Sequence, residues 1–332
     1  MSKTLPDFVV IYDIGVYDFD GFGILARNPK LTGSFTFCKD YIIGIINPSN
    51  PSSIVWGIWD TIPGMADGRY RVPCGIDKWN KELWLTEKSH SSMRDAILFM
   101  GELFNILGDI ETAVKSGKTE DFHSPDKTHE FWKYYIRGLA TFARSAGREI
   151  VRKVSLNKEP KRLLDIGGGH GMYSVAFCRK YASMQAVVLD LPGAVEQGKN
   201  IVREKGFEDR VRFRQGDLKV TEWGKGYDLV LLFNIIHTVF PEEAPRILAR
   251  AHQSLNPGGT VVILDSEHTG NEKDLSATSG FNELLFFIIN GTCVYPEKDI
   301  RKWMTDAGFI NLKKKKLLIM PMTLFITGRK PS

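Results

Sequence analysis

One segment decides the fold, and it reads Arg162-Leu163-Leu164-Asp165-Ile166-Gly167-Gly168-Gly169-His170-Gly171. It combines a short apolar strand, an acid near the strand end and a turn rich in glycine. Glycine adopts positive φ without strain and lets a ligand lie against bare backbone. The helix that follows such a turn presents unpaired N–H groups and the positive end of its dipole to a negatively charged group. The segment therefore predicts a cofactor site between a strand and a helix.

Composition bounds the class of protein. The chain has 332 residues, of which 43% are hydrophobic and 25% are charged. These values are typical of an ordinary globular protein with one large or two ordinary domains. The formal net charge of +5 is small for this length, and no helix rich in Lys and Arg accompanies it. A nucleic-acid partner is therefore not predicted.

The four cysteines indicate the compartment. Cys38, Cys74, Cys178 and Cys293 lie far apart, without a CxxC pair and without a histidine at metal-ligand spacing. This argues against a disulfide framework and a zinc site, and favours a reducing compartment. No segment approaches the ~20 apolar residues of a membrane span, and the N-terminal apolar run is too short for a signal peptide. We expect a cytoplasmic protein with neither a membrane partner nor a metal.

The pattern of secondary structure changes near residue 160. Before it, apolar stripes predict two long helices, one starting at Ser92 and one over residues 130–154. After it, strands and helices alternate, which predicts a mostly parallel sheet with helices on both faces. The predicted strands cover residues 162–166, 186–190, 211–215, 229–233 and 261–265. The helices between and after them are predicted to begin near Gly171, Gly193, Pro241 and Ser276.

Two further strands are predicted at the C-terminal end of the chain. They cover residues 312–319 and 322–327, and only Pro321 and its neighbours separate them. So short a connection joins antiparallel strands, because parallel strands need a long crossover. The fold class predicted is therefore α/β, with seven strands of which the last is antiparallel.

Polar or glycine-rich residues follow each of the five parallel strands. In an open α/β sheet, ligands bind beyond the carboxyl ends of the strands. Any single residue of this kind has an alternative role, because an acid at a strand end often caps the next helix. Five on one rim indicate a site. They are Asp165 with the glycine turn, Asp190, Gly216 with Asp217, His237, and Asp265.

A dinucleotide-binding turn is the rival interpretation of the glycines. Its fingerprint is GxGxxG, in which the third glycine allows close packing of helix and strand. Here Gly167 and Gly169 fit, but the third position is Met172. Asp190 is well placed to accept both hydroxyls of a ribose, which an NAD site would also require. The antiparallel last strand favours a different cofactor.

The second half of the chain resembles the class I S-adenosylmethionine-dependent methyltransferases. Within them it is similar to the small-molecule O-methyltransferases related to plant caffeate, hydroxyindole and bacterial antibiotic and pigment enzymes. Five motifs in family order carry the resemblance. They are Leu164-Asp165-Ile166-Gly167-Gly168-Gly169-His170-Gly171, Val188-Leu189-Asp190-Leu191-Pro192, Gly216-Asp217-Leu218, Asn234-Ile235-Ile236-His237 and Leu255-Asn256-Pro257-Gly258-Gly259.

The resemblance implies a two-domain enzyme. Residues 156–332 would form the cofactor domain, a Rossmann-like seven-stranded sheet with an antiparallel last strand. Residues 1–155 would form a mainly helical, winged-helix-like domain that dimerises and covers the substrate, with residues 67–72 as a candidate wing. A homodimer and a small-molecule acceptor are the expected partners.

The resemblance also implies the cofactor and the residues around it. The cofactor would be S-adenosylmethionine, with S-adenosylhomocysteine as product and no metal. Glycines of the first motif would line its methionine portion, Asp190 would hold its ribose, and Asp217 with Leu218 would flank its adenine. The cofactor-binding residues expected on this basis are Asp165, Gly167, Gly169, Gly171, Asp190, Leu191, Gly216, Asp217, Leu218 and Asn234.

By the same resemblance, His237 is the general base and Asp265 is one of the two acids that flank it. A phenol titrates near ~10, so an imidazole that takes its proton makes it a better nucleophile. The acceptor is expected to be aromatic or polycyclic. Its candidate contacts lie on a predicted helix, where aromatic residues are also typical of core packing: Phe281, Asn282, Phe286 and Asn290.

The chain departs from the family pattern at two places. The family's His-Asp-Trp sequence is His237-Thr238-Val239 here, and the second flanking acid falls near Val294, where there is none. These departures leave two alternatives to O-methylation open, which are a C- or N-methyltransferase of the same fold and a non-catalytic cofactor-binding scaffold. An NAD-dependent dehydrogenase, the rival interpretation of the glycines, is a distant third. His237 itself would then be a residue that only starts a helix.

Overall fold

The chain divides into two compact units, Met1–Phe104 and Asn105–Ser332. The computed structural model describes residues 42–46, 54–58, 92–107, 110–117, 119, 122–123, 127–156, 158–271 and 274–332. In the first unit, strands β1 (Ile42–Ile46) and β2 (Ile54–Ile58) pair antiparallel. The sequence did not predict this pair. The candidate wing at residues 67–72 lies outside the described residues.

In the described part of the chain, three successive helices precede residue 160, and strands and helices alternate beyond it, as the sequence predicted. Helix α1 is Arg94–Leu107. The helices that follow it are α2 (Ile110–Ser116), α3 (His129–Lys153), α4 (Met172–Lys180), α5 (Pro192–Glu204), α6 (Ala244–Ser254), α7 (Ala277–Asn290) and α8 (Glu297–Asp306). The strands are β3 (Arg162–Ile166), β4 (Gln185–Asp190), β5 (Val211–Gln215), β6 (Tyr227–Phe233), β7 (Leu255–Ser266), β8 (Gly270–Asn271), β9 (Asp274–Leu275), β10 (Ile310–Lys314) and β11 (Thr323–Arg329).

Seven of these strands form one sheet in the order β10-β11-β7-β6-β3-β4-β5. The five strands from β7 to the edge strand β5 pair in parallel, and β11 pairs antiparallel with both β7 and β10. The predicted α/β class, the seven strands and the antiparallel last strand are thereby confirmed. The short strands β8 and β9 form a separate antiparallel pair.

The core lies on both faces of this sheet. Neighbouring residues of a strand point to opposite faces, so Leu163 and Leu164 of β3 enter two different apolar clusters. The first cluster includes Ile150 of α3 together with residues of α4 and α5, and the second includes Ile247 of α6 and Ile300 of α8. Burial of β3 on both sides fixes its carboxyl end and the glycine turn that follows.

Several element boundaries differ from the sequence predictions, and two of the differences have a visible contact behind them. Pro241 lies in a turn, and α6 begins only at Ala244, because the side chain of Glu243 accepts the N–H of Phe240 and closes that turn first. Strand β10 ends at Lys314, so the connection to β11 spans residues 315–322. Glu149 binds this connection by accepting the N–H groups of residues 318 and 319. The polar helix α8 was not predicted.

No helix among the described residues combines the length and the apolarity that crossing a membrane requires.

Candidate active site

The parallel register brings the polar strand ends to one rim. Beyond the ends of β3, β5 and β6, one backbone N–H donates to a carbonyl of the neighbouring strand at 2.7 to 2.9 Å. These hydrogen bonds join Gly167 to Leu189, Gly216 to Asp190 and Asn234 to Leu264. The glycine turn, Asp190, Gly216 and Asn234 are therefore adjacent, as the sequence predicted for a site at this edge.

The glycine turn could not be built from other residues. Gly167 has φ of 62°, and a Cβ there would lie 2.2 Å from Cδ1 of Ile235. Gly171 has φ of 65° and immediately precedes α4. The ring Nδ1 of His170 accepts the N–H of Met172 at 3.0 Å in the first turn of α4. Burial lowers the pKa of His170 to about 4, so that this imidazole is neutral at physiological pH.

Asp190 faces the turn from the end of β4. Its Oδ2 accepts the N–H of Gly169 at 2.7 Å, and its Oδ1 accepts the N–H of Leu191 at 2.7 Å. Burial raises the pKa of Asp190 to about 6, and the two N–H groups oppose that shift. Each carboxylate oxygen keeps a free lone pair. The side chain can therefore accept two hydroxyl groups of a ligand on the outer side.

Asp165 lies beneath the same turn and is fully buried. The hydroxyl of Ser174 donates to Oδ2 at 2.7 Å, while Oδ1 is buried without a hydrogen-bond partner in the described part of the chain. Burial raises the pKa of Asp165 to about 7, and the charge of Asp190 adds to the shift. An orphaned buried acceptor beside bare glycine backbone fits a ligand that brings its own donor.

A third group of predicted residues follows β5. The carboxylate of Asp217 accepts the N–H of Lys219 at 2.7 Å, and its side chain is exposed. The carbonyl of Leu218 accepts Nε1 of Trp223 at 3.0 Å and a guanidinium N–H of Arg250 at 2.7 Å. These bonds hold the backbone of the loop and leave the Asp217 carboxylate turned outward.

His237 and Asp265 form a buried pair at the ends of β6 and β7. Nδ1 of His237 lies 2.6 Å from Oδ1 of Asp265. Oδ2 of Asp265 accepts the backbone N–H groups of Ile236 at 2.9 Å and of His237 at 3.3 Å. A carboxylate beside Nδ1 favours the imidazole tautomer in which Nδ1 carries the proton. Nε2 then holds a lone pair, and no described residue hydrogen-bonds to it.

Two residues of the following segments hold His237, one through its imidazole and one through its backbone. The ring of Phe286 stacks on that of His237, with centroids 3.8 Å apart and planes 5° from parallel. The hydroxyl of Thr292 donates to the backbone carbonyl of His237 at 2.5 Å. Sequence reasoning missed Thr292, because nothing in the motif spacing marks a contact between residues 55 positions apart.

The other candidate acceptor contacts on α7 differ in their surroundings. Asn282 donates from Nδ2 to the hydroxyl of Ser266 at 3.3 Å. Nδ2 of Asn290 is buried and has no hydrogen-bond partner among the described residues. The side chain of Phe281 is 45% exposed. Of the four predicted residues, Phe286 is therefore the one that the structure brings against His237.

The position where the family carries its second acid is apolar. Val294 is 2% exposed, so its side chain offers nothing to the imidazole. Thr238 turns its hydroxyl back onto the carbonyl of Ile235 at 2.8 Å. Among the residues that the structure describes, no group of three or more His, Cys, Asp or Glu side chains could hold a metal.

Comparison with known proteins identifies the family. The family model described as an O-methyltransferase domain matches residues 111–310. The chain belongs to the O-methyltransferase family. The resemblance inferred from the five motifs is thereby confirmed. Like other members of this family, the protein is an S-adenosylmethionine-dependent methyltransferase.

Individual members of the O-methyltransferase family differ in the atom that they methylate. An L-tyrosine C(3)-methyltransferase of Streptomyces lavendulae is 27% identical over 87% of this chain and 80% of its own length. A 3-hydroxy-5-methyl-1-naphthoate 3-O-methyltransferase of Streptomyces sahachiroi is 28% identical over 56% of this chain, which spans about half of that relative (52%). The family alone therefore does not determine the acceptor atom.

Solved structures of the family share this fold. Human N-acetylserotonin methyltransferase, solved in complex with S-adenosylmethionine, superposes with a TM-score of 0.65 at 19% identity. The superposition covers 76% of this chain and 74% of that chain. At this identity the likeness concerns the fold.

Proposed function

We propose that the protein transfers a methyl group from S-adenosylmethionine to a hydroxyl oxygen of a small aromatic acceptor, with His237 as general base. The observation that carries the proposal is the pair of His237 and Asp265, buried on the rim where the cofactor turn lies. Its 2.6 Å contact orients the imidazole and leaves Nε2 available for the proton of a hydroxyl.

The cofactor cradle fits the group that the family uses. We propose that Gly167, Gly169 and Gly171 line the methionine portion, and that Asp190 accepts the ribose hydroxyls. The orphaned Oδ1 of Asp165 would accept a donor of the cofactor. Around the adenine and along the rim we place the remaining predicted residues, which are Leu191, Gly216, Asp217, Leu218 and Asn234.

When bound, the cofactor supplies a methyl group activated by its positively charged sulfur. The protein's own residues then have two tasks, which are alignment of the acceptor oxygen and removal of its proton. Nε2 of His237 takes the proton, and the carboxylate of Asp265 stabilises the imidazolium that results. Positioned general bases of this kind contribute about 10² to 10⁴ in rate.

Methylation of a ring carbon is the second candidate. The observation that favours it is the tyrosine C(3)-methyltransferase, which aligns over 87% of this chain. The same base serves that chemistry, because a phenol that loses its proton becomes more nucleophilic at the ring carbon beside the oxygen. The ring proton leaves after the methyl group has been transferred.

Residues 1–155 remain the proposed dimerisation and substrate-lid domain, and residues 156–332 the proposed cofactor domain. The support for this division is the change of sequence pattern near residue 160. Light scattering of the purified protein tests the proposed homodimer, for which the expected mass is twice the 37.5 kDa of one chain.

Titration calorimetry followed by single-turnover assays tests the function. We expect S-adenosylmethionine and S-adenosylhomocysteine to bind, Asp190→Ala to abolish that binding, and NAD not to bind. Transfer to a panel of phenols should fall by at least about 100-fold in His237→Ala and stay unchanged in His129→Ala, a matched change at an exposed histidine of α3. Cofactor binding without transfer to any acceptor would support the scaffold alternative, and unchanged transfer in His237→Ala would indicate another base.

A further inference from the structure

We propose that the acceptor carries a protonated amine, and that the carboxylate of Glu283 binds it one helical turn away from His237. This inference rests on the proposed function and specifies its substrate class. Neither Glu283 nor its neighbour His268 was among the residues predicted from the sequence. The proposal stands on their position, their charge and the absence of a strong partner for the carboxylate within the described residues.

The position of Glu283 is fixed by the helix that also contacts the catalytic pair. Phe286 stacks on His237, and residues three and four apart on a helix share a face. Glu283 precedes Phe286 by three positions, and Asn290 follows it by four. Since one helical turn is about 5.4 Å long, Glu283 lies one turn to one side of the imidazole contact and Asn290 one turn to the other.

The segment that leaves β7 closes the other side of Glu283. Ser279 of α7 makes two hydrogen bonds to this segment. Its hydroxyl donates to the carbonyl of Glu267 at 3.1 Å and accepts the N–H of Thr269 at 2.9 Å. Between these points, Nε2 of His268 lies 3.9 Å from Oε1 of Glu283. His268 follows Asp265 by three residues. The two imidazole–carboxylate pairs therefore share the end of β7 and the segment that leaves it.

The carboxylate of Glu283 lacks a strong counter-charge. Its side chain is 26% exposed, and burial raises its pKa, an effect that the Val294 N–H and the charge of His268 oppose. No Lys or Arg of the described residues lies within 4.0 Å of it, and the imidazole is charged only when protonated. A partly desolvated carboxylate gains free energy from a cation at hydrogen-bond distance.

A second polar group on the same face has no partner. Nδ2 of Asn290 is a buried donor without a partner in the described part of the chain. Buried polar groups normally have partners, so the α7 face presents a carboxylate without a Lys or Arg partner on one side of Phe286 and a free donor on the other. The arrangement suits an aromatic ring that lies near Phe286 and carries its amine on a short side chain, about one turn from the reacting atom.

Binding of three related phenols tests the proposal. The probes are tyramine, 4-ethylphenol and 3-(4-hydroxyphenyl)propionate, titrated into the protein saturated with S-adenosylhomocysteine. They share the phenol ring and differ in the charge of the side chain. We expect tyramine to bind at least about tenfold more tightly than 4-ethylphenol, and the propionate to bind most weakly because Glu283 repels it.

Variants separate charge from shape. Glu283→Gln keeps the size of the side chain and should remove the preference for tyramine. Glu283→Asp keeps the charge and should retain part of that preference. Glu196→Gln, at an exposed acid of α5, is the matched control and should change nothing. Melting curves of each variant show that it is folded.

Three results overturn the inference. They are equal affinity for tyramine and 4-ethylphenol, failure of all three probes to bind, and a tyramine preference that survives Glu283→Gln. A role of Glu283 as a second acid acting on His237 would instead slow turnover of the neutral 4-ethylphenol in Glu283→Gln without any amine preference. Failure of the proposed function is seen separately, as a lack of S-adenosylhomocysteine binding in the first titration.

Discussion

The imidazole of His237 lies flat on the phenyl ring of Phe286, with 3.8 Å between centroids and 5° between planes. The stack fixes the plane of the imidazole, and the 2.6 Å contact with Asp265 fixes its rotation in that plane. Together they aim Nε2 in one direction. An imidazole held in this way can act on a hydroxyl without first losing rotational freedom.

Asp265→Asn is expected to lower kcat by at least about 100-fold, since an amide neither fixes the productive tautomer nor stabilises an imidazolium. The KM for S-adenosylmethionine should stay within about twofold, because the cofactor residues lie on other strands. Steady-state kinetics with a phenolic acceptor measures both. An equal loss of cofactor affinity would indicate that the substitution disturbs the whole rim instead of the base.

Phe286→Leu removes the stacked ring and retains an apolar side chain. We expect the free energy of unfolding to fall by about 1 to 3 kcal/mol, from the lost ring contact and the space left behind. Activity should fall while cofactor binding persists. Urea denaturation and calorimetry measure the two effects. Full activity in this variant would show that the stack does not orient His237.

Cofactor affinity should depend on the protonation of Asp190. Its pKa in the free protein is about 6, and a protonated carboxyl accepts the ribose hydroxyls less well. Affinity for S-adenosylhomocysteine should therefore weaken as the pH falls through 6, by up to about tenfold per pH unit. Calorimetry between pH 5 and 7.5 measures this change. Asp190→Asn should bind weakly at every pH, and a similar slope in that variant would assign the titration to another group.

Asp165 should destabilise the cofactor-free protein at high pH. Its folded pKa of about 7 lies above its ordinary value of 3.8, so the folded state binds the proton more tightly than the unfolded state. The resulting stability is present below about pH 4 and is lost as the pH rises through 7. At pH 8 the free energy of unfolding of the Asp165→Asn variant should therefore exceed that of the natural protein by at least about 1 kcal/mol.

Asp228 serves as the control for Asp165, because its pKa is shifted in the opposite direction. Burial raises the pKa of Asp228, but hydrogen bonds from backbone N–H groups and Asn256 outweigh it, and the net pKa is lowered. The stability that Asp228 contributes is therefore present at high pH and lost as the pH falls. Asp228→Asn should destabilise the protein more at pH 8 than at pH 4, opposite to Asp165→Asn. Denaturation curves at both pH values test the pair. The same sign in both variants would contradict the assigned burial of Asp165.

Sequence patterns predicted the part of the fold that depends on local periodicity. Strands β3 and β5 have the predicted boundaries. In β3 a buried apolar run between turn residues leaves little choice. The start of α6 was displaced, since the Glu243 side chain closes a turn at Phe240 that competes with the helix. The polar helix α8 carried too weak an apolar stripe to be recognised.

The part of the site that lies at the ends of the parallel strands was predictable, because the order of the strands determines which of their residues are adjacent. His237 and Asp265 follow adjacent parallel strands, so their contact follows from topology alone. The contacts of His237 with Phe286 and Thr292, and of His268 with Glu283, depend on how α7 packs on the rim. That packing is a tertiary choice that one sequence does not reveal. The closest signal was the spacing of Glu283 and Phe286 on one helical face.

The most direct test of the account is carbon-13 NMR of the products formed from S-adenosylmethionine labelled in its methyl group. Methyl carbons bound to oxygen, carbon and nitrogen resonate at distinct shifts, so one spectrum identifies the acceptor atom. With phenolic acceptors we expect an oxygen-bound methyl signal that is lost in His237→Ala and kept in His129→Ala. A label found only on carbon or nitrogen, or an oxygen-bound signal undiminished in His237→Ala, would contradict O-methylation with His237 as the base.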